Sequence, residues 1–299
     1  MEASIPLEAL RLGCEAFASD LNPVACLILK VMVEDIPRRR HELAGELRRV
    51  GTEIKAAAEK ELAEFFPPDP DGARPIAYLW ARTVRCESPS CGAEIPIYRS
   101  PWLSKKGANR ARYFTESADG QCRVLLVESA PKGGPVTFRI TSGHGSEHAR
   151  PGFTRLTGTK APGNNANVVC PCCGMVLPGN KKNPRTAIQL ARQHGGSATV
   201  FDQHGRRIGG ARLLAVVVTR PGRKGRDYRL GTDRDYEAVW PATKTLQSIN
   251  PDATTDASLA LPDEPLPPTG TLGFRVQRYG MSGWGDLFTP RQRESCYSL

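Results

Sequence analysis

Two pairs of cysteines constrain this chain more than any other feature of its sequence. Cys86-Glu-Ser-Pro-Ser-Cys91-Gly92 and Cys170-Pro-Cys172-Cys173-Gly174 each set two thiols a few residues apart, with glycine directly after the second. A knuckle of this kind turns the chain tightly enough for both sulfurs to face one ion, and the glycine relieves the backbone where it bends. Two knuckles complete a closed tetrahedral four-thiolate set, the form of a structural Zn2+ site. The predicted ligands are Cys86, Cys91, Cys170 and Cys173. The Cys-x-x-Cys-Gly spacing leaves Cys172 as a buried or spare thiol. A redox Cys-x-x-Cys is the other reading of the second pair, and the presence of a first knuckle argues against it. The 78 residues between the knuckles make a long loop, but closing it costs only about 4 kcal/mol. A structural zinc site contributes roughly 10–16 kcal/mol in small peptides.

The nine cysteines are odd in number and uneven in spacing. The N-terminus has no basic stretch leading into an apolar core, so no export signal is read. Clustered cysteines without export favour metal binding over disulfides and place the chain in a reducing compartment, the cytoplasm. No run of eighteen apolar residues is present, so no membrane partner or spanning helix is expected.

The net charge of +10 is unevenly placed. Residues 67–230 hold 26 basic and 10 acidic side chains, whereas 1–37 hold 2 and 6, 38–66 hold 7 and 6, and 231–299 hold 6 and 9. The whole excess lies in the segment that holds the cysteine pairs. A basic field confined to one module suggests a polyanion partner; a solvated surface that merely aids solubility is the bland alternative. Two loops concentrate it: Ser104-Lys-Lys-Gly-Ala-Asn-Arg-Ala-Arg112 and Arg220-Pro-Gly-Arg-Lys-Gly-Arg-Asp-Tyr-Arg229. Glycine lets such loops follow a phosphate backbone, and Trp102, Tyr113 and Tyr228 beside them offer faces on which bases can stack. The candidate nucleic-acid contacts are Lys105, Lys106, Arg110, Arg112, Arg223, Lys224 and Arg226.

Four segments follow from the pattern. Residues 1–37 read as helix, strand, helix: Ser4 caps a helix stopped by Gly13, Cys14–Ser19 extend to Asp20, and Asn22-Pro23 opens a second helix. Across 38–66, Leu43, Leu47, Val50, Ile54, Ala58, Leu62 and Phe65 recur at three and four, predicting a long amphipathic helix closed by Pro67-Pro68. Residues 67–230 form the basic, β-rich zinc-ribbon insert, with strands at Ile76–Val84, Cys122–Val127, Val136–Ile140 and Ala211–Thr219. Gly143–Arg150 and Gly179–Arg185 read as loops, which leaves His144 and His148 facing solvent. Residues 231–299 hold a Pro/Asp/Thr-rich linker at 250–270 and a return segment. No Ser/His/Asp, Cys/His or paired-carboxylate constellation stands out.

Several strings resemble the adenine-specific DNA methylases that contain a zinc ribbon. They are Ser4-Ile-Pro-Leu-Glu-Ala-Leu-Arg-Leu-Gly13, Glu15-Ala-Phe-Ala-Ser-Asp20-Leu-Asn-Pro-Val-Ala25, Pro75–Cys86, Trp102-Leu-Ser-Lys-Lys106, Gly225-Arg-Asp-Tyr-Arg229 and Tyr279–Gln292. The resemblance implies an α/β fold in which a partial class I methyltransferase (Rossmann-like) segment carries an inserted zinc-ribbon domain. It implies S-adenosylmethionine as cofactor, with Asp20 on the ribose hydroxyls, Leu21 against the adenine and Asn22 closing the pocket. Without it, Asp20 before Asn-Pro reads equally as a helix cap. The family transfers a methyl group to the N6 of an adenine flipped out of DNA. The family's glycine-rich loop and its Asp-Pro-Pro-Tyr motif do not occur here. The expectation is therefore a methylase fragment, cut at both ends and inactive alone; a separate chain that supplies the missing parts and completes the enzyme is a further reading. A freestanding zinc-ribbon DNA-binding module is the alternative.

Overall fold

The computed structural model describes residues 4–38, 43–106, 110–161, 167–180, 182–193, 199–248, 264–273 and 275–297. The fold is mixed α/β, with five small sheets and few helices. Every strand pair is antiparallel. The chain divides into two compact units, 1–61 and 62–299.

The first unit is helical. Helix α1 (Ser4–Arg11) ends at Gly13, whose φ of 84° only glycine adopts freely. Helix α2 (Pro23–Lys30) starts where the sequence signals it: Asn22 Oδ1 accepts from the Val24 amide at 3.0 Å, and Pro23 occupies the first turn. A π-turn, Val31–Asp35, leads into α3 (Ile36–Arg38). Pro37 explains it, because the ring displaces the carbonyl four residues back and the wider turn absorbs the lost bond. Helix α4 (Leu43–Glu61) follows, and stops short of the expected Pro67-Pro68 boundary. The expected strand at Cys14–Ser19 is absent. An extended segment becomes a strand only beside a partner that takes its N–H and C=O groups, and no described strand pairs with it. Among the described residues of this unit only Ala25 and Leu29 are buried.

The second unit begins with a turn at Leu62–Phe66 and is built mostly of strands. In chain order these are β1 (Arg74–Ala81), β2 (Thr83–Arg85), β3 (Glu94–Pro96), β4 (Trp102–Ser104), β5 (Tyr113–Glu116), β6 (Cys122–Ser129), β7 (Thr137–Ser146) and β8 (Thr154–Arg155). The short strands β9 (Val168–Val169) and β10 (Val176–Leu177) precede helix α5 (Arg185–Ala191). Strands β11 (Thr199–Phe201), β12 (Arg207–Gly210), β13 (Arg212–Thr219) and β14 (Asp227–Leu230) follow. Helices α6 (Asp233–Glu237), α7 (Val239–Ser248) and α8 (Pro290–Tyr297) complete the unit, with 3-10 turns at Thr271–Gly273, Val276–Tyr279 and Trp284–Leu287. Of the linker read at 250–270, residues 250–263 lie outside the described residues.

Strand β13 is the centre of the core. It lies between β1 and β14, and Leu213–Val218 are all buried. Leu213, Val216 and Val218 pack with Tyr78, Trp80 and Tyr236, while Leu214 meets Leu125 and Phe138 from the five-stranded sheet and Val136 just before β7. A strand covered on both faces reads as an unbroken apolar run, which is why it is legible in sequence. Each of these side chains contributes about 1.5–3 kcal/mol by leaving water.

The five-stranded sheet runs β4-β6-β7-β5-β8. Its edge residue Trp102 meets Phe114 of β5 edge-on at 5.6 Å between ring centroids, although three strand steps separate them. The sheet therefore curls. Gly143 and His144, expected in a loop, lie in β7 opposite Glu116 and Thr115. Glycine is needed at 143 because a Cβ there would stand 2.1 Å from the Thr115 carbonyl oxygen and 2.4 Å from the Phe114 ring. The chain enters and leaves this sheet at one place: the Lys160 amide donates to the Tyr98 carbonyl (3.0 Å) and the Gly158 amide to the Arg99 carbonyl (3.2 Å).

A partly buried ionic cluster ties distant segments of the unit together. Arg229 donates to both oxygens of Asp69 (2.6 and 2.7 Å) and both of Asp235 (2.7 and 2.8 Å). Asp235 also accepts from the Thr232 amide and hydroxyl, forming the capping box that starts α6.

Candidate metal centre and basic cleft

Each cysteine pair sits on the turn of a two-stranded hairpin. Strands β2 and β3 pair Thr83–Arg85 with Glu94–Pro96, and the Cys86 amide donates to the Ala93 carbonyl at 2.9 Å. Strands β9 and β10 pair Val168–Val169 with Val176–Leu177, and the Cys170 amide donates to the Met175 carbonyl at 2.9 Å. Gly92 (φ 60°) and Gly174 (φ 75°) both take the left-handed conformation that the sequence pattern anticipated.

The two turns face each other. The sulfurs of Cys86, Cys91, Cys170 and Cys173 all lie within 4.8 Å of one another. Cys86 to Cys173 is 3.6 Å and Cys91 to Cys170 is 3.7 Å. Four thiolates around a tetrahedral ion at ~2.3 Å stand about 3.8 Å apart, so the set is close enough to hold a metal ion. Cys86, Cys91 and Cys170 are buried and Cys173 is exposed. Val84, Ala93, Ile95, Val168, Leu177 and Leu190 surround them.

The local electrostatics fit a cationic occupant. Burial pushes the Cys86 and Cys170 thiols up, against backbone amides aimed at their sulfurs: Ser88 at Cys86, and Cys173 and Cys172 at Cys170. At Cys91 the Ala93 amide prevails over burial and pulls the thiol down. Amides directed at sulfur favour thiolate, but four thiolates in a buried cluster repel one another unless a cation sits among them. Cys172 stands half-buried beside the set, and its thiol is raised chiefly by its hydrogen bond to Cys91.

A helix that sequence reading missed braces the first knuckle. Gln189 of α5 accepts from the Arg85 amide (2.8 Å), donates to the Arg85 carbonyl (3.0 Å) and donates to Glu87 (2.9 Å). Arg185 pairs with Glu87 at 2.8 Å. The signal was the four-residue spacing of Thr186 and Leu190, the two buried residues of the helix, just past the Gly179–Arg185 loop. Arg82 then links α5 to the return segment, donating to the Leu190 and Tyr279 carbonyls at 2.7 and 2.5 Å. Gly280 permits that approach, because a Cβ there would lie 2.9 Å from the Ala191 carbonyl oxygen.

No family model, curated protein or solved structure matches the chain. The residues alone carry the functional reading.

The two basic loops, more than a hundred residues apart in sequence, meet at one cleft of about 730 Å³. It is lined by Lys105, Lys106, Arg123, Arg220, Arg223, Lys224 and Arg226 with Asp119, Asp227 and Tyr228 among them. Of the seven expected contacts, Lys105, Lys106, Arg223, Lys224 and Arg226 are brought together here. Arg110 and Arg112 are exposed but are not among the lining residues. Arg123 and Arg220 were missed because each carries an internal task. Arg123 donates to the Gly120 and Cys122 carbonyls, and Arg220 bonds Asp71 and Asp227.

Asp20, Leu21 and Asn22 belong to the first unit. Asp20 accepts from the Asn22 amide at 2.9 Å and its carbonyl accepts from the Cys26 thiol at 3.0 Å. Leu21 is fully exposed. The three form a turn before α2 in which the N-cap is Asn22 and not Asp20, the cap read from sequence, and Asp20 does not end a strand.

Among the described residues no helix is long and apolar enough to cross a membrane.

Proposed function

We propose that this chain is a zinc-stabilised DNA-binding module. The observation that carries the reading is the convergence of the 104–106 and 220–228 loops on one cation-lined cleft, in a unit that also holds a closed four-cysteine cluster. In this reading Zn2+ occupies the cysteine cluster and is structural, since four protein thiolates leave no open position for a substrate. The ion would hold the two hairpins together, and the cleft would bind phosphate backbone. Binding of the purified chain to DNA, followed against salt, tests it. The observed constant should fall steeply with salt, as expected when several phosphates are neutralised. Failure to bind DNA even at low salt would overturn the reading.

Kinship with the zinc-ribbon adenine methylases is a second reading, and one observation favours it. Parts of four of the six strings that carry the resemblance reach the two sites: Ser104–Lys106 and Gly225–Tyr228 line the cleft, Cys86 belongs to the sulfur set and Tyr279 packs against it. The methyl-transfer step itself is not assigned, because the chain contains no Asp-Pro-Pro-Tyr sequence and Asp20 is engaged in a turn. Calorimetric titration with S-adenosylmethionine tests the cofactor half. Saturable binding lost in Asp20→Ala supports it, and absence of binding leaves the DNA-binding module as the reading.

A further inference from the structure

Building on the nucleic-acid reading of the cleft, we infer that it takes single-stranded nucleic acid. One backbone would run between Lys105–Lys106 and Lys224–Arg226, with a base against Tyr228.

Three features lead there. The first is where the β13–β14 hairpin directs its tip. A two-stranded ribbon reads duplex DNA by entering the major groove, about 12 Å wide, with its end projecting. Here the tip does not project. Arg220 is tied to Asp71 and Asp227, Arg223 reaches Asp227 at 3.4 Å, and the tip shares a cavity with the β4 end and the 118–121 turn. Its cations face across a gap.

The second feature is the division of charge. Arg220 and Arg223 are held by aspartates and Arg123 by carbonyls. Among the described residues Lys105, Lys106, Lys224 and Arg226 make no ion pair with a carboxylate, and they stand two on each wall. Lys105 also lies 5.6 Å from the Trp102 ring centroid, a cation–π contact that holds the ammonium without neutralising it. Lys105 and Lys106 from one loop and Lys224 and Arg226 from the other offer their charge to one phosphodiester chain lying in the cleft. A duplex would lie across the mouth and meet the exposed pairs only from outside.

The third is size together with an aromatic wall. A cleft of about 730 Å³ falls in the range that encloses a small organic ligand, about one or two nucleotides. Tyr228 is half-buried in its lining. A cationic groove with an aromatic face is the arrangement that holds unpaired bases, because every base offers a π-face.

The test is fluorescence anisotropy of the full chain with a labelled oligothymidylate and with a mixed-sequence duplex of equal length, at matched salt. The single strand should bind about tenfold tighter or more, and Tyr228→Leu should weaken single-strand binding about fivefold or more. Lys224→Gln/Arg226→Gln changes only exposed side chains and should lower the salt slope for the single strand by roughly 1.4. Equal or tighter duplex binding overturns the single-strand inference and leaves the DNA reading standing. No binding of either probe at low salt overturns both. A Tyr228→Leu protein with unaltered circular dichroism and unaltered single-strand affinity also overturns the inference. If that variant does not fold, an unchanged salt slope in the double variant does so instead.

Discussion

Cys172 and Cys173 are neighbours in sequence with different surroundings. Cys173 joins the four-sulfur set, while Cys172 stands half-buried beside it. Cys172→Ser should therefore keep one zinc per chain, and Cys170→Ser, at a site 1% exposed, should lose the metal and lower the melting temperature sharply. Metal content by emission spectroscopy, read beside a thermal melt, separates the two outcomes. Asp235 supplies a second residue-level expectation. Burial works to raise its carboxyl, but the Arg229 guanidinium and the Thr232 amide and hydroxyl together hold it below the usual carboxylate value. A depressed carboxyl stabilises the fold fully above its unfolded pKa, near 4, and loses that contribution as pH falls through the folded value. Asp235→Asn should cost about 2–4 kcal/mol at neutral pH, since Asp69 still partners Arg229. Urea unfolding should show the gap between parent and variant narrowing below about pH 4. The four cysteines were legible because knuckle chemistry is local. The Arg229 cluster was not, because its partners lie 160 and 6 residues away along the chain and no local pattern announces them.

At the scale of elements, the strands of the second unit were legible where burial imposed a pattern. Leu213–Val218 is apolar without interruption because both faces of β13 are covered. Gly143 and His144 were misread as loop because glycine argues against strand unless something crowds the site. The Phe114 ring and the Thr115 carbonyl are that crowding, and neither can be seen from the local sequence. Gly143→Ala should thus be destabilising by about 1–3 kcal/mol, whereas Gly133→Ala, with no atom within 4 Å of its Cβ, should suffer only from its φ of 69°. Chemical denaturation of the two variants compares crowding with backbone strain. The strand expected at Cys14–Ser19 failed for the opposite reason: composition suited it, but pairing is a property of two segments.

Across the whole molecule, burial is unequal. The first unit exposes Phe17, Leu21, Leu12 and Ile5 at 92%, 105%, 82% and 68%, and among its described residues buries only Ala25 and Leu29. Few buried contacts mean a low free energy of local opening. Limited trypsin digestion should therefore cut within 1–61 well before it cuts within β13 or the metal hairpins, a sequence of events readable by mass spectrometry. The position of the five-stranded sheet also bears on the order of folding. Its two ends meet at Tyr98–Arg99 and Gly158–Lys160, so once the sheet has formed, the long excursion between the knuckles is bypassed. The chain that must still close from Cys91 to Cys170 shrinks to about 20 residues, which relieves roughly 1 kcal/mol of closure entropy. With zinc in the cysteine cluster, as proposed, its capture should then be the late event, quickened by a sheet formed away from the four sulfurs. In refolding experiments, β-sheet signal would rise first, and thiolate-to-metal absorbance with a cobalt probe would follow.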